Sequence, residues 1–268
     1  MLPFATAPGT PGTPGHPPRP ALLLVAHGSR DPRHAVTVAA LTARVRALRP
    51  ELRVAACYLE FDAPSVPRAL EELYADGVRE VVAVPLLLSR AFHAKTDIPA
   101  ALAGALARLP GMAVRQAAVL GPDPLLVRAL ERRLRECGPP ARPRHATGVV
   151  LAAAGSSDPE AIAVTAETAR EWWRTAQWCA VRPAFASAAA PRTEDAVRAL
   201  RAAGADHVVV APYVIAPGFL PDRIAAGARE AGADLLAPVL GDAPELARLL
   251  VRRAEQAQAA RPLALAAA

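Results

Sequence analysis

The chain has 268 residues, of which 53% are hydrophobic and only 4% aromatic, and its mean hydropathy is +0.20. It is long enough to bury one large core or two smaller ones. No apolar run of about 18 residues lacks charge or proline, which argues against a membrane span and for a soluble protein. The net charge of +6 comes from 31 basic residues, and only Lys95 is a lysine. No basic block alternates with aromatic residues, so nucleic-acid binding is not expected.

The arginines recur on the outer faces of predicted helices, which predicts a solvated, arginine-rich surface; attraction of polyanionic small molecules is the alternative. The arginines in question are Arg44, Arg46, Arg132, Arg133, Arg252 and Arg253. The first twenty residues lack the basic start and apolar segment of a secretory signal, so we expect a cytoplasmic protein. Cys57, Cys137 and Cys179 lie far apart in the chain and are expected to be reduced and buried.

Composition divides the chain into five segments. Residues 1–20 contain seven prolines and three glycines, and such a segment predicts a disordered tail. An N-terminal α/β lobe is predicted at 21–137 and a linker at 138–147. A second, degenerate α/β lobe follows at 148–258, and an alanine-rich tail at 259–268.

From residue 21 the chain repeats the pattern strand, loop, helix. Apolar runs predict strands at 21–26, 52–59, 79–88 and 112–120. Helices are predicted at 34–49, 64–75 and 125–136, with Thr96 or Asp97 capping a further helix. Such alternation predicts a doubly wound parallel sheet with helices on both faces. Strand order 2-1-3-4 is common in these sheets.

The second half of the chain repeats the first. Ala154-Gly-Ser-Ser-Asp-Pro159 corresponds to His27-Gly-Ser-Arg-Asp-Pro32 at an offset of 127 residues (154 minus 27). The offset holds for Phe219 against Phe92, and it shortens to 120 at Val239-Leu-Gly241 against residues 119–121. An internal duplication is indicated. We therefore predict an α/β fold of two duplicated lobes that face a cleft, the usual place for a small-molecule site.

Three metal-competent residues follow strands of the first half at equal intervals of 33 residues: His27, Glu60 and His93. Because the carboxyl ends of parallel strands meet at one edge of a sheet, these side chains are expected to converge. Two imidazoles and a carboxylate suit a divalent cation such as Fe²⁺, Co²⁺, Ni²⁺ or Zn²⁺. Three protein ligands leave coordination positions open, as catalysis or metal transfer requires.

The duplication provides an internal control on these three residues. At an offset of 127 their counterparts are Ala154, Ser187 and Leu220. The second half keeps its glycines, prolines and apolar strands and loses all three polar groups. The three residues are therefore predicted to act together in the first half, and folding does not require them.

Three motifs in order resemble the sirohydrochlorin chelatases, which are class II tetrapyrrole chelatases related in fold to ferrochelatase. They are His27-Gly-Ser-Arg-Asp-Pro-Arg33, Tyr58-Leu-Glu60 followed by Pro64-Ser65, and Pro85-Leu-Leu-Leu88 through Phe92-His-Ala-Lys-Thr-Asp-Ile-Pro99. The resemblance is strong over 21–137 and weaker over 148–258, the second lobe of the long form of the family.

This resemblance implies insertion of Fe²⁺ or Co²⁺ into sirohydrochlorin, without ATP, on the way to siroheme or cobalamin. His27 and His93 would hold and release the cation, and Glu60 would act as a ligand or accept a displaced proton. No cofactor beyond the metal substrate is expected, and the protein would be a monomer or homodimer. Sirohydrochlorin carries eight carboxylates, so the candidate anchors are Arg30, Lys95 and the N–H groups of Gly28 and Ser29. For Arg30 and Lys95 the alternative is an exposed side chain that lies near the site by chance.

Other functions stay open at this point. Leu24-Val-Ala-His-Gly28 also resembles the start of a histidine phosphatase, but Ala26 stands where that family needs an arginine, and the duplication is foreign to it. A non-catalytic metal or tetrapyrrole carrier would use the same three residues. The nickel or haem branch of the chelatase superfamily is a third alternative.

Overall fold

The computed structural model of the protein describes residues 20–90, 92–138 and 140–260, apart from the side chain of His93. The predicted tails therefore lie outside the described residues, except for Pro20, Ala259 and Ala260. The described residues include two four-stranded parallel sheets with helices packed on them. None of the helices in these ranges is long and apolar enough to cross a membrane.

The first sheet has the strand order β2-β1-β3-β4, which confirms the predicted order. Its strands are β1 (Ala21–Ala26), β2 (Val54–Tyr58), β3 (Glu80–Pro85) and β4 (Ala113–Gln116). Strand β1 is buried along its whole length, as its unbroken apolar run predicts. It pairs through Ala26 with Tyr58 and through Val25 with Pro85. The carboxyl ends of β1, β2 and β3 therefore lie side by side.

Four helices follow the strands of the first half: α1 (Pro32–Leu48), α2 (Val66–Ala75), α3 (Ile98–Leu106) and α4 (Pro124–Glu136). Asp31, Ser65 and Asp123 cap α1, α2 and α4 by accepting a backbone N–H near the helix start. A π-helical turn, His93–Asp97, precedes α3. Asp97 takes the N-cap position there without a side-chain capping hydrogen bond, so the predicted cap is wrong in its chemistry.

The second sheet repeats the first, with the order β6-β5-β7-β8. Its strands are β5 (Thr147–Ala153), β6 (Ala180–Phe185), β7 (His207–Tyr213) and β8 (Leu235–Leu236). Its helices are α5 (Pro159–Ala176), α6 (Thr193–Ala202), α7 (Phe219–Glu230) and α8 (Pro244–Ala259). Strand β5 pairs in parallel with β6 and β7, as β1 does with β2 and β3.

The last helix of each half packs against the sheet of the other half. Helix α8 contacts β3 and β4 and lies beside α1 and α4, while α4 contacts β7. The largest group of buried apolar residues is therefore continuous through both sheets. It includes Leu126 and Leu130 from α4 and Leu246, Leu249 and Leu250 from α8, all 1% exposed or less. Truncation of such a leucine to alanine costs about 2–5 kcal/mol.

The two halves thus exchange their last helices. Arg133 on α4 and Arg253 on α8 make equivalent contacts with the opposite half. Arg133 donates from Nε and Nη2 to the carbonyl oxygen of Leu240, at 3.0 and 2.7 Å. Arg253 donates from Nε to Val119 O and from Nη2 to Leu120 O, both at 2.9 Å. Leu120 and Leu240 are equivalent in the duplication. Each arginine thus stabilises the turn before the last helix of the opposite half.

The prediction that six arginines form a solvated surface holds for Arg44 and Arg46, which are exposed, and is wrong for the other four, which are half-buried. Besides the two above, Arg44 binds Asp242 at 2.7 Å and Arg46 donates to Val54 O at 2.9 Å. Arg132 holds the buried Glu245 through two nitrogens, and Arg252 pairs with Asp123. The sequence pattern placed these side chains on outer faces of helices, and the packing of α4 and α8 on the opposite half covers the faces that carry Arg132, Arg133, Arg252 and Arg253.

The three cysteines are free, and only one of them is buried. Burial raises the pKa of the Cys57 thiol to about 12, which keeps it protonated and unreactive. Cys137 and Cys179 are exposed, so the prediction of three buried cysteines is wrong for these two. Cys137 follows the end of α4, and Cys179 precedes the start of β6. The sequence pattern places the ends of such elements only approximately, so it does not fix the burial of residues there.

Candidate metal centre

The turn after β1 brings His27 and Glu60 together. Gly28 has φ +95°, and a Cβ built on it would lie 1.8 Å from the carbonyl oxygen of Glu60. Only glycine allows this close approach of the two backbones. The Glu60 N–H donates to the carbonyl oxygen of His27 at 2.9 Å. Two of the three predicted ligands therefore sit on adjacent strand ends, with their backbones joined by a hydrogen bond.

The second half repeats this backbone arrangement without the polar side chains. Gly155 has φ +93°, and its Cβ would lie 2.0 Å from the carbonyl oxygen of Ser187. The Ser187 N–H donates to Ala154 O at 3.0 Å. Ala154 and Ser187 thus occupy the backbone positions of His27 and Glu60. The turn is a property of the fold, whereas the imidazole and carboxylate are particular to the first half.

The His27 imidazole is half-buried and lies against an aromatic ring. Its Nδ1 is 3.2 Å from Gly28 O. Because a carbonyl oxygen only accepts, Nδ1 is the donor in this contact; the neutral tautomer that donates from Nδ1 leaves the lone pair of Nε2 for a metal ion. The ring centroids of His27 and Phe61 are 6.4 Å apart, with an angle of 30° between the ring planes.

Arg30 lies beside the same phenylalanine. Its Cζ is 5.2 Å from the centroid of Phe61, within the range of a cation–π interaction. Arg30 is exposed. The guanidinium of this predicted anchor therefore stands next to the ring that packs on His27.

Asp62 and His34 complete the site, and sequence reasoning missed both of them together with Phe61. The Ser29 N–H, predicted to bind substrate, donates instead to Asp62 Oδ2 at 3.0 Å. His34 Nδ1 lies 3.6 Å from the same oxygen. Burial lowers the pKa of His34, and the Asp62 carboxylate opposes that shift. The duplication carried a signal for all three residues, since their counterparts at the offset of 127 are Ala161, Ala188 and Ala189.

Lys95, the remaining predicted anchor, reaches across to the second half. Its Nζ lies 2.9 Å from Asp158 Oδ2 and 2.8 Å from Glu160 Oε2, both at the start of α5. In this structure its charge is neutralised by protein carboxylates. A substrate contact by Lys95 stays a prediction and requires these ion pairs to open.

The third predicted ligand is described only through its backbone. His93 begins the π-helical turn that follows β3, and β3 is the neighbour of β1 on the side away from β2. Its imidazole lies outside the described residues. Within the described ranges, no three His, Cys, Asp or Glu side chains are grouped closely enough to hold a metal ion. The three-ligand site therefore stays a prediction.

Two lobes, each with a four-stranded parallel sheet of equivalent strand order, define the class of this protein as a duplicated α/β fold. The CbiX family model matches residues 21–137 and 148–257, so the chain belongs to the CbiX family. The family resemblance and the fold class predicted from the sequence are both confirmed. Membership also removes the histidine phosphatase alternative.

Relatives and solved structures agree with this family. A sirohydrochlorin cobaltochelatase of Priestia megaterium is 29% identical over 88% of this chain and 79% of its own length. A sirohydrochlorin ferrochelatase of Bacillus subtilis (strain 168) is 28% identical over 76% of this chain and 77% of its own. SirB from Bacillus subtilis, solved with Fe³⁺, superposes with a TM-score of 0.80 at 25% identity and covers 90% of this chain and 96% of that one.

Proposed function

We propose that this protein is a chelatase that inserts a divalent metal ion, Fe²⁺ or Co²⁺, into sirohydrochlorin. The observation that carries the proposal is the pair His27 and Glu60, hydrogen-bonded through their backbones at adjacent strand ends of a CbiX-family fold. The same backbone in the second half carries Ala154 and Ser187, which cannot replace them. One relative is named a cobaltochelatase and another a ferrochelatase, so the proposal includes both metals.

In this proposal the metal is a substrate held by His27, Glu60 and His93. The lone pair on Nε2 of His27 is the donor, and three protein ligands leave positions open for water and then for the macrocycle. The protein ligands must dissociate from the metal as it enters the ring. Neutral imidazoles bind Fe²⁺ or Co²⁺ without adding negative charge, which favours reversible binding. No further cofactor is needed for this exchange of ligands.

Two pyrrole N–H protons leave the macrocycle as the metal enters. Glu60 is exposed beyond the end of β2, and its carboxylate can accept one of these protons once it no longer binds the metal, while the other passes to water. Asp62 accepts the Ser29 N–H in the turn that follows His27, and His34 lies beside the Asp62 carboxylate. We assign them a positioning role, because Asp62 fixes the turn that carries His27.

Arg30 is the strongest of the predicted substrate anchors. It is exposed, and it stands over Phe61 beside His27. A guanidinium there can bind a peripheral carboxylate of sirohydrochlorin in a bidentate manner. Gly28 and Ser29 contribute chiefly through the shape of the turn. Gly28 is buried, and the Ser29 N–H already donates to Asp62.

The test is anaerobic incubation of the full chain with sirohydrochlorin and either Fe²⁺ or Co²⁺, followed by the absorbance of the macrocycle. We expect His27→Ala and His93→Ala to abolish insertion while the circular dichroism spectrum is unchanged. His145→Ala is the matched control, since His145 is exposed and far along the chain from the site. Insertion at the wild-type rate by both site variants would refute the assignment.

The same assay distinguishes an enzyme from a carrier. A chelatase at one-hundredth of the sirohydrochlorin concentration converts all of it, whereas a carrier stops after one equivalent. Initial rates with Fe²⁺ and Co²⁺ at equal free concentrations then give the metal preference.

A further inference from the structure

Three phenylalanines stand exposed in the segments that follow strands β2, β3 and β7: Phe61, Phe92 and Phe219, at 57%, 64% and 73% exposure. Phe61 follows the predicted ligand Glu60, and Phe92 precedes the predicted ligand His93. Phe219 is the counterpart of Phe92 in the second half. That half has therefore lost the predicted ligands but has kept an exposed aromatic ring beside one of their positions.

Helix α7, which begins with Phe219, lies against the turn that carries His27. A Cβ built at Gly218 would lie 3.6 Å from Ser29 Oγ. Four residues further on, Asp222 Oδ2 is 2.6 Å from Arg33 Nη2. Phe219 is flanked in the chain by these two contacts. The second half thus places an exposed ring next to the turn of the candidate metal centre.

An arginine accompanies the exposed ring in each half. The Cζ of Arg223 is 5.9 Å from the ring centroid of Phe219, and that of Arg30 is 5.2 Å from that of Phe61. Both arginines are exposed. A ligand that matches both pairs is a flat conjugated ring with carboxylates around its edge, because aromatic faces stack on its plane and guanidinium groups bind its rim. Arg223 has Thr96 as its counterpart, so the second pair is not inherited from the duplication.

We propose that the second half is a substrate-binding surface, in which Phe219 packs on the macrocycle and Arg223 binds one of its peripheral carboxylates. This inference rests on the proposed function, because it takes sirohydrochlorin as the ligand. It gives the degenerate lobe a role in substrate binding: the first half holds the metal and contributes Phe61 and Arg30, and the second half adds Phe219 and Arg223 for the ring.

The test measures binding of metal-free sirohydrochlorin to the full chain by titration of the macrocycle's fluorescence. Phe219→Ala is expected to weaken binding about tenfold through loss of stacking. Arg223→Ala is expected to weaken it about fivefold and to reduce its dependence on salt. Trp173→Ala and Arg229→Ala are the matched controls, an exposed aromatic on α5 and an exposed arginine at the far end of α7, and both should bind as the wild type does.

The outcomes separate this inference from the proposed function. If wild type binds sirohydrochlorin and inserts metal, and Phe219→Ala and Arg223→Ala bind as tightly as the two controls, the substrate-binding role of the second half is wrong and the chelatase assignment stands. If wild type neither binds sirohydrochlorin nor inserts metal, both proposals fall. Weakened binding by both site variants, with intact controls, supports the inference.

Discussion

Arg33 and Asp222 form an ion pair of 2.6 Å that joins the first turn of α1 to the first turn of α7. The duplication relates this pair to a second one with the charges exchanged, since the counterpart of Arg33 is Glu160 and that of Asp222 is Lys95. Lys95 Nζ and Glu160 Oε2 are 2.8 Å apart. The two pairs are equivalent under the approximate twofold relation of the halves, and each links one lobe to the other.

The first prediction concerns the role of Lys95. If it links the lobes, Lys95→Met and the double variant Asp158→Asn/Glu160→Gln should raise the KM for sirohydrochlorin by the same factor, about threefold, because each removes one side of the same contact. If Lys95 binds substrate, only Lys95→Met raises KM. Asp222→Asn, which breaks the equivalent pair with Arg33, serves as the comparison and should raise the KM by a similar factor.

The second prediction concerns Gly28. Gly28→Ala places a methyl group 1.8 Å from Glu60 O at φ +95°, so the turn must move and take Glu60 with it. We expect this variant to lose stability and to insert metal at a rate at least about tenfold lower. Gly155→Ala imposes the same strain against Ser187 in the second half.

Comparison of the two glycine variants isolates the local effect. Both should lower the melting temperature, and only Gly28→Ala should also lower the affinity for Co²⁺ in a titration below that temperature. Equal loss of Co²⁺ affinity in the two variants would mean that the turn after β1 does not position the metal ligands.

The third prediction concerns Glu131, through which α4 holds the second half. Its Oε1 accepts from the indole Nε1 of Trp172 at 2.7 Å and of Trp178 at 3.1 Å, and its carboxylate also pairs with Arg144. Trp172 is fully buried. Glu131→Ala leaves two indole donors without an acceptor and should lower the free energy of unfolding by about 3 kcal/mol.

Urea denaturation followed by tryptophan fluorescence measures this loss. Glu136→Ala is the control on the same helix: its carboxylate is exposed and pairs with Arg133 one turn away, so the change should stay within about 0.5 kcal/mol. A loss of similar size in both variants would show that the indole hydrogen bonds do not hold α4 to the second lobe.

The fourth prediction concerns pH. Burial lowers the pKa of His34 from its usual 6.5; the Asp62 carboxylate opposes the shift, and the nearby His27 adds to it. The unfolded chain therefore binds a proton at this position at higher pH than the folded protein does. The contribution of His34 to the free energy of unfolding is therefore fully present above pH 6.5. It is lost as the pH falls through the lower pKa of the folded protein.

Unfolding free energies at about pH 7.5 and about pH 5 test this sign. The wild type should lose more stability between the two than His34→Gln does, whereas His145→Gln, at an exposed position, should follow the wild type. A steeper loss in His34→Gln than in the wild type would show that the folded protein binds the proton more tightly than the unfolded chain.

The order of the elements in the first half followed from the sequence, although β3 ends at Pro85 and β4 at Gln116, before the predicted ends at 88 and 120. Strand β1 ends at Ala26 as predicted, and the helices begin at or near their capping residues. These features depend on apolar periodicity and on turn residues a few positions apart, which the sequence displays directly. The same holds for His27 and Glu60, because strand order alone places their backbones together.

Contacts between the halves were beyond that reasoning. Lys95 meets Asp158 and Glu160 more than sixty residues away, and Arg133 and Arg253 close the turns of opposite halves. No local pattern marks such partners. Their positions depend on how one lobe is oriented on the other, and the packing of α4 and α8 fixes that orientation.

The sequence by itself determined that this protein is a duplicated α/β chelatase-like fold in which only the first copy carries metal-competent residues, because periodicity, turn chemistry and internal repetition are written along the chain. Only the tertiary structure decided that the copies exchange their last helices, that arginines and carboxylates join them, and that Phe219 lies near the turn of His27. These contacts form between surfaces that are far apart in the sequence. Which side chains meet depends on how the two lobes pack around the shared core.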